Sequence, residues 1–234
     1  MPRIGLLVPS SNTTVEPEFY RALPREVTLH TARLYLTQIT PESILGMVED
    51  LEVQSRLLAS AEVDVVVLGA TAPSFLKGLG YDREIIAKIA AATGKPATTT
   101  STALIEALAH LGVKRVALGS AYDDKVNGIA RAFIEASGVR VVNAAGLGLV
   151  DNLVVGRLAP ETAFDLGRKV DHADADAIVL ACTNWQTMDA LERLEAAVGK
   201  PVVSTTQVSI WAALRMLGWR HPVGGFGRLL RELR

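Results

Sequence analysis

The single cysteine of the chain, Cys182, ends the apolar run "AIVLAC" and directly precedes the polar residues "TNWQ". A lone cysteine on a buried strand is usually a small apolar side chain of the core. Here it stands at the end of a predicted strand, and "TNWQ" is predicted to begin a helix whose dipole lowers the pKa of the thiol. We therefore interpret Cys182 as a candidate catalytic residue, with a core position as the alternative.

The elements that would carry this thiol are short runs rich in Val, Ile and Leu. Four of them are "RIGLLVP", "VDVVVLG", "KRVALGS" and "DAIVLAC". Continuous rather than alternating hydrophobicity is typical of parallel strands buried on both faces. Helical patterns lie between the runs, and one, over residues 41–60, has a start signal at Thr40 and Pro41. The fold class predicted is α/β with parallel sheets flanked by helices.

The chain also repeats itself. Three residue pairs share one separation of 112 positions: Arg3 and Arg115, Val27 and Val139, and Asp64 and Asp176. Farther along, "GKPATTTSTALIEALAHLG" resembles "GKPVVSTTQVSIWAALRMLG". The repeat predicts two pseudo-symmetric halves, residues 1–112 with a tail at 219–234, and residues 113–218. In this alignment Ala70 of the first half corresponds to Cys182.

Two facing halves predict a cleft, because ligands bind parallel sheets beyond the carboxyl ends of the strands. The residues at these ends carry hydroxyls and amides but no Lys, Arg or His. Such neutral donors, with backbone N–H groups, suit a carboxylate or an enolate oxygen, and helix capping is the alternative role. The candidate binding residues at these ends are Pro9, Ser10, Asn12, Ala70, Thr71, Ala72, Tyr122, Thr183 and Asn184.

Other classes of function find little support in the sequence. The net charge of −1 argues against a nucleic-acid partner. No phosphate-binding loop or dinucleotide fingerprint is present, and the four histidines lack metal-ligand spacing, so we expect no cofactor and no metal. One cysteine, short apolar runs and no signal segment predict a cytoplasmic protein with no membrane contact. An exposed apolar helix face could form a homo-oligomer.

Longer segments resemble a known family. "IGLLVPSSNTTVEPEF", "GATAPSFLKG" and "GKPVVSTTQVSIWAALRMLGW" are similar to the aspartate/glutamate racemase superfamily, in its arylmalonate decarboxylase and maleate cis-trans isomerase branch. This resemblance implies two α/β halves with the active site between them. Racemases and maleate isomerases of the superfamily carry a cysteine in each half, whereas the decarboxylase has a small residue in the first. Ala70 and Cys182 match the decarboxylase pattern.

The resemblance also implies a mechanism and further site residues. A malonate-type substrate would lose one carboxylate as carbon dioxide, Thr71 and Tyr122 would hold the enediolate, and Cys182 would protonate it. An apolar pocket for the departing carboxylate would comprise Leu36, Ile39 and Pro73. Asn152 stands where the decarboxylase is apolar. With Asn12, it matches asparagines that in maleate isomerases hold a second carboxylate.

The sequence therefore predicts a cofactor-independent decarboxylase that acts on a small malonate-type dicarboxylic acid, with Cys182 as the proton donor. Two alternatives stay open. One is an enzyme like maleate cis-trans isomerase in which Cys182 alone acts as the nucleophile. The other is a non-catalytic carboxylate-binding protein that has lost one thiol.

Overall fold

Two four-stranded parallel sheets form the centre of the molecule in a computed structural model, which describes residues 1–233. Their strand orders are β2-β1-β3-β4 and β6-β5-β7-β8, so the second half of the chain repeats the topology of the first. The predicted duplicated α/β architecture is confirmed. The strands are β1 Arg3–Pro9, β2 Thr28–Leu34, β3 Val65–Leu68, β4 Ala97–Thr99, β5 Arg115–Tyr122, β6 Arg140–Leu149, β7 Ala177–Ala181 and β8 Val202–Ser204.

Helices connect the strands, as the patterns between the apolar runs predict. Within residues 1–233, no helix has the length and apolar composition needed to cross a membrane. The α-helices are α1 Val15–Ala22, α2 Pro41–Met47, α3 Leu51–Ser60, α4 Thr71–Phe75, α5 Tyr81–Thr93, α6 Thr100–His110, α7 Asp124–Ala136, α8 Asn152–Gly156, α9 Pro160–Val170, α10 Leu191–Val198, α11 Thr205–Met216 and α12 Arg228–Arg231.

The helical pattern over residues 41–60 forms two helices rather than one. Its predicted start is confirmed, because the Thr40 hydroxyl accepts a hydrogen bond from the Ser43 N–H at 3.3 Å and Pro41 occupies the first turn. A 3₁₀ turn at Val48–Asp50 separates α2 from α3. Gly46, in the last turn of α2, has a low helix propensity and weakens the helix there.

Helices α6 and α11 pack against each other and join the two halves. They occupy equivalent places, after the short strands β4 and β8, and each begins at a hydroxyl cap, Thr99 and Ser204. The Thr100 and Ser209 hydroxyls form a buried hydrogen bond of 2.8 Å between the two helices. The halves are thus held in one fixed arrangement at the ends of their parallel strands.

The chain after α11 contacts both halves. Gln207 of α11 donates a hydrogen bond to the Phe226 carbonyl at 2.6 Å. The carboxylate of Glu195, on α10, accepts the Arg228 N–H. In the first half, the Arg21 guanidinium lies 6.0 Å from the centre of the Phe226 ring. The division of the chain near residue 218, with the tail assigned to the first half, stays a prediction.

A bulge in the β5–β6 pair sets the backbone of Tyr122, because the strand register shifts between Ser120 and Tyr122. Gly146 on β6 lies against this bulge. A Cβ atom at Gly146 would come within 2.3 Å of the Tyr122 carbonyl oxygen. Any larger residue at Gly146 must therefore displace the end of β5.

We predict that Gly146→Ala lowers the free energy of unfolding by about 1–3 kcal/mol, as overpacking of a close-packed site does. Gly128→Ala is the matched control, because the site is exposed within α7 and nothing lies within 4 Å of the added methyl group. This control should raise the free energy of unfolding by about 0.5–1 kcal/mol. Urea unfolding of both variants tests the prediction, and equal shifts of the same sign would contradict it.

Candidate active site

The carboxyl ends of β1, β3, β5 and β7 meet around a cavity of about 30 Å³. In sheets of this strand order the switch point lies between the first and third strands, which is where ligands bind. Thirteen of the fourteen predicted site residues line the cavity: Pro9, Asn12, Leu36, Ile39, Ala70, Thr71, Ala72, Pro73, Tyr122, Asn152, Cys182, Thr183 and Asn184. The cavity therefore draws residues from both halves of the chain.

Two residues differ from the prediction. Ser10 lies outside the cavity lining, because its hydroxyl donates to the Leu36 carbonyl at 3.2 Å and accepts the Leu36 N–H at 3.0 Å. Its role is to hold Leu36 in place. Ile44, which the sequence did not single out, lines the cavity from α2. The sequence feature that could have identified Ile44 is its place on the apolar face of the helix predicted to follow Thr40.

Cys182 occupies a sharp turn immediately after β7. Its φ angle of 151° lies in a region that favours glycine, and its N–H donates to the Thr205 hydroxyl at 3.0 Å. The prediction that "TNWQ" begins a helix is wrong: a 3₁₀ turn starts only at Met188 and α10 only at Leu191. The Trp185 N–H instead closes the turn on the Cys182 carbonyl at 3.2 Å.

The predicted lowering of the thiol pKa is also wrong. Burial raises the pKa of Cys182 from its ordinary 9.0 to about 11. The Asn184 N–H, the Tyr122 hydroxyl and the Trp185 N–H oppose this rise but do not cancel it. Because no helix begins at Cys182, no helix dipole is added to these donors. The thiol is therefore protonated at neutral pH and can act as an acid.

The Tyr122 hydroxyl lies between the thiol and Thr71. Burial raises its pKa well above 10, the charge of a Cys182 thiolate raises it further, and the neighbouring Thr71 hydroxyl partly offsets the rise. An edge-to-face contact with Phe75, at 6.2 Å between ring centres, fixes the ring of Tyr122. Tyr122 is thus a neutral donor at the cavity wall.

Thr71 lines the cavity with its hydroxyl beside that of Tyr122. Its Oγ1 atom is buried and forms no hydrogen bond of good geometry with any residue in 1–233. The Thr71 carbonyl, by contrast, accepts the Ser74 and Ser101 hydroxyls, each at 3.0 Å, so the residue is firmly placed. A buried hydroxyl whose hydrogen bonding is this weak would gain a better partner from a bound ligand oxygen.

Several of the other polar residues at the cavity use their side chains to join the halves. Asn12 donates to the Thr183 hydroxyl at 3.2 Å, and that hydroxyl donates to the Gly69 carbonyl at 3.0 Å. Asn184 donates to the Asn152 carbonyl at 2.6 Å. The Thr183 hydroxyl proton is thereby used within the protein. The hydroxyls of Thr71 and Tyr122 are the other hydroxyl donors of the cavity lining.

The segments that follow β2 and β6 supply one side of the cavity and are joined to each other. Gln38 and Asp151 form an isolated antiparallel bridge, and the Ile39 N–H donates to the Val150 carbonyl at 2.9 Å. The bridge thus ties the two segments together at this side of the cavity. A cavity of about 30 Å³ holds only one or two water molecules.

The cavity lining is electrically neutral. The sequence already shows no Lys, Arg or His among the residues at the strand ends. It contains no Asp, Glu, Lys, Arg or His. Within residues 1–233, no group of three or more His, Cys, Asp or Glu side chains is arranged to hold a metal ion. The donors that this lining offers are hydroxyl, amide and backbone N–H groups.

Comparison with known proteins places this cavity in a family. Residues 4–230 match the family model described as arylmalonate decarboxylase. The chain belongs to the arylmalonate decarboxylase family. It is 33% identical to an arylmalonate decarboxylase from Bordetella bronchiseptica, over 99% of this chain and 97% of that protein. It is 30% identical to a maleate isomerase from Geobacillus stearothermophilus, over 97% of this chain and 96% of that protein.

A solved structure of a maleate isomerase has a fold similar to that of this chain. It is a cysteine-to-serine variant of maleate cis-trans isomerase from Nocardia farcinica with a covalently bound succinylcysteine intermediate, with a TM-score of 0.94 and 28% identity over 98% of each chain. Relatives of this chain in the family are thus enzymes of two kinds, decarboxylases and cis-trans isomerases.

The contact between Tyr122 and the thiol is directly testable, because Cys182 is the single cysteine. We predict that Tyr122→Phe raises the thiol pKa further and slows alkylation by iodoacetamide at pH 9 roughly threefold to tenfold. Tyr81→Phe, which alters another buried tyrosine outside the cavity lining, is the control and should not change the rate. Mass spectrometry follows the reaction, and an unchanged or faster rate in Tyr122→Phe would refute the contact.

Proposed function

We propose that this protein is a cofactor-independent decarboxylase that acts on a small malonate-type dicarboxylic acid. The observation that supports this most is the buried thiol of Cys182, which is protonated at neutral pH and shares its cavity with Ala70. A protonated thiol is a proton donor rather than a nucleophile. Alanine at the equivalent position of the first half supplies no second acid or base.

The proposed reaction has two steps. The bond between the central carbon and one carboxylate breaks, carbon dioxide leaves, and the electron pair moves into the remaining carboxylate to form an enediolate. The Cys182 S–H then transfers its proton to the carbon, and the thiolate regains a proton from water. The Thr71 hydroxyl, beside Tyr122, and the first N–H groups of α4 are donors for the enediolate oxygens.

Apolar residues favour the first step. Leu36, Ile39 and Pro73 line the cavity together with Ile44. A carboxylate next to these side chains loses hydration without gaining a donor, whereas departing carbon dioxide carries no charge. We therefore assign the departing carboxylate to this apolar side and the retained one to Thr71 and Tyr122.

A second candidate is isomerisation of a maleate-type substrate by addition of Cys182 to the double bond. Asn12 and Asn152 favour it, because their amides add polar groups that suit a second carboxylate. The succinylcysteine in the Nocardia farcinica isomerase is an adduct of this kind. Addition requires a thiolate, however, and a pKa of about 11 leaves little thiolate at neutral pH. We therefore rank this candidate second.

The test is incubation with phenylmalonate, methylmalonate derivatives and maleate in deuterated water, followed by NMR. We expect carbon dioxide release and one deuterium at the former malonate carbon. Cys182→Ser should lower kcat by about 10²-fold or more while substrate binding changes little, because a general acid has been removed.

Three results would contradict the proposal. Conversion of maleate to fumarate, with no release of carbon dioxide, would favour the isomerase. Full decarboxylation by a folded Cys182→Ser variant would remove the thiol from the mechanism. Binding of the dicarboxylates without turnover of any of them would favour a carboxylate-binding protein.

A further inference from the structure

We infer that Glu18, a buried residue of α1 outside the cavity lining, is a positioning residue for Cys182. Its carboxylate anchors the far end of the thiol loop, defined here as residues 182–187. The inference rests on the proposed function in that it takes Cys182 to be the reacting group. Its test reads the thiol directly and does not require the substrate to be known.

The anchor is a pair of hydrogen bonds across the two halves. Glu18 Oε1 accepts the Thr187 N–H at 3.0 Å and the Met188 N–H at 3.1 Å. These N–H groups begin the 3₁₀ turn that leads into α10, and such groups have no partner within their own helix. The carboxylate therefore caps this helix start from another part of the chain.

Glu18 belongs to a continuous row of contacts between α1, with the loop before it, and the thiol loop. Upstream, the Thr14 hydroxyl donates to the Asn184 carbonyl at 2.9 Å. Downstream, Arg21 forms an ion pair with Asp189. The contacts advance along both segments in the same direction. Within this row, the bonds of Glu18 are those that hold Thr187, where the thiol loop ends.

Fixing Thr187 contributes to the order of the residues around the thiol. The Cys182 N–H is held at the start of the loop by Thr205, and Glu18 holds its end. Between the two fixed points lie Asn184 and Trp185, whose N–H groups contact the sulfur. Release of the loop at Thr187 would let these two residues shift and would admit water to the thiol.

The environment of Glu18 shows that this anchor is costly. The residue is 5% exposed, and its Oε2 atom has no hydrogen bond of good geometry within residues 1–233. Burial raises its pKa from 4.5 to about 7. The groups that lower the pKa, and only partly offset this rise, are the Met188 N–H, the Thr206 hydroxyl, the Thr187 N–H and the charge of Arg21. An apolar residue would avoid this cost but would leave two buried N–H groups unpaired.

Alkylation of Cys182 by iodoacetamide at pH 8 tests the inference in the full-length protein. Burial is the largest influence on the thiol pKa, so hydration of a loosened loop should lower that pKa toward 9. We predict that Glu18→Ala is alkylated at least about tenfold faster than the wild type. Glu18→Gln, whose amide oxygen can accept both N–H groups, should stay within about twofold of the wild-type rate.

Glu195→Ala is the matched control. Glu195, on α10, is also a carboxylate with a raised pKa, and it accepts the N–H groups of Val202 on β8 and Arg228 on α12 without contacting the thiol loop. Its removal should destabilise the protein without accelerating alkylation. If Glu18→Ala does not fold, Glu18→Asp replaces it, because the shorter side chain withdraws the same oxygen from Thr187.

Wild-type rates in the Glu18→Ala or Glu18→Asp variant, or equal acceleration in Glu195→Ala, would overturn the inference. Acceleration in Glu18→Gln as large as in Glu18→Ala would also overturn it, because the accepting oxygen would then be irrelevant. If the dicarboxylates prove not to be substrates while the alkylation contrast persists, the proposed function fails and the positioning role stands.

Discussion

Burial of one thiol against a neutral wall is the constraint on which the site depends. Desolvation penalises the thiolate more than the surrounding N–H and hydroxyl donors stabilise it, so the sulfur of Cys182 keeps its proton at neutral pH. With no cationic side chain in the cavity lining, a bound dicarboxylate would make the thiolate less favourable still. In the proposed reaction, the residues that bind the anion would therefore also keep Cys182 protonated as the acid.

The duplicated fold provides two equivalent positions at the cavity, and only one of them carries a thiol. Ala70 and Cys182 follow the ends of the equivalent strands β3 and β7, and both residues line the same cavity. A symmetric arrangement would place one acid on each side of a substrate carbon. Here one side carries a methyl group, while the polar side chains of Asn12, Thr183 and Asn184 link the two halves. These links hold the cavity together. Its two equivalent sides differ in that one carries the methyl group of Ala70 and the other the thiol of Cys182.

Much of this arrangement follows from sequence patterns. Continuous apolar runs fix parallel strands, and the repeat of 112 residues pairs Ala70 with Cys182 because strand ends in equivalent halves are equivalent in space. Membership of the cavity could therefore be predicted for Thr71 and Tyr122. The pKa of the thiol could not, because it depends first on how deeply the folded chain buries Cys182 and then on whether residues 183–187 form a turn or a helix.

The role of Glu18 across the two halves was also beyond the reach of the sequence. Glu18 lies in the segment "VEPEF", where its spacing marks it only as one of two acidic residues in the first turn of a helix. Its partners Thr187 and Met188 are about 170 positions away, and only the folded chain brings them together. Ser10 was wrongly predicted to line the cavity. A hydroxyl at the end of a strand can bind either a ligand or nearby backbone, and the Ser10 hydroxyl bonds the backbone of Leu36.

The measurement that tests the central claim most directly is the stereochemistry of proton delivery after the thiol is moved. Wild-type protein and the double variant Ala70→Cys with Cys182→Ser would each be given a 2-aryl-2-methylmalonate in deuterated water, and the products separated on a chiral column. One-sided protonation in a pseudo-symmetric cleft predicts a single enantiomer from the wild type and the opposite enantiomer from the double variant. The same enantiomer from both, or racemic product from the wild type, would contradict it.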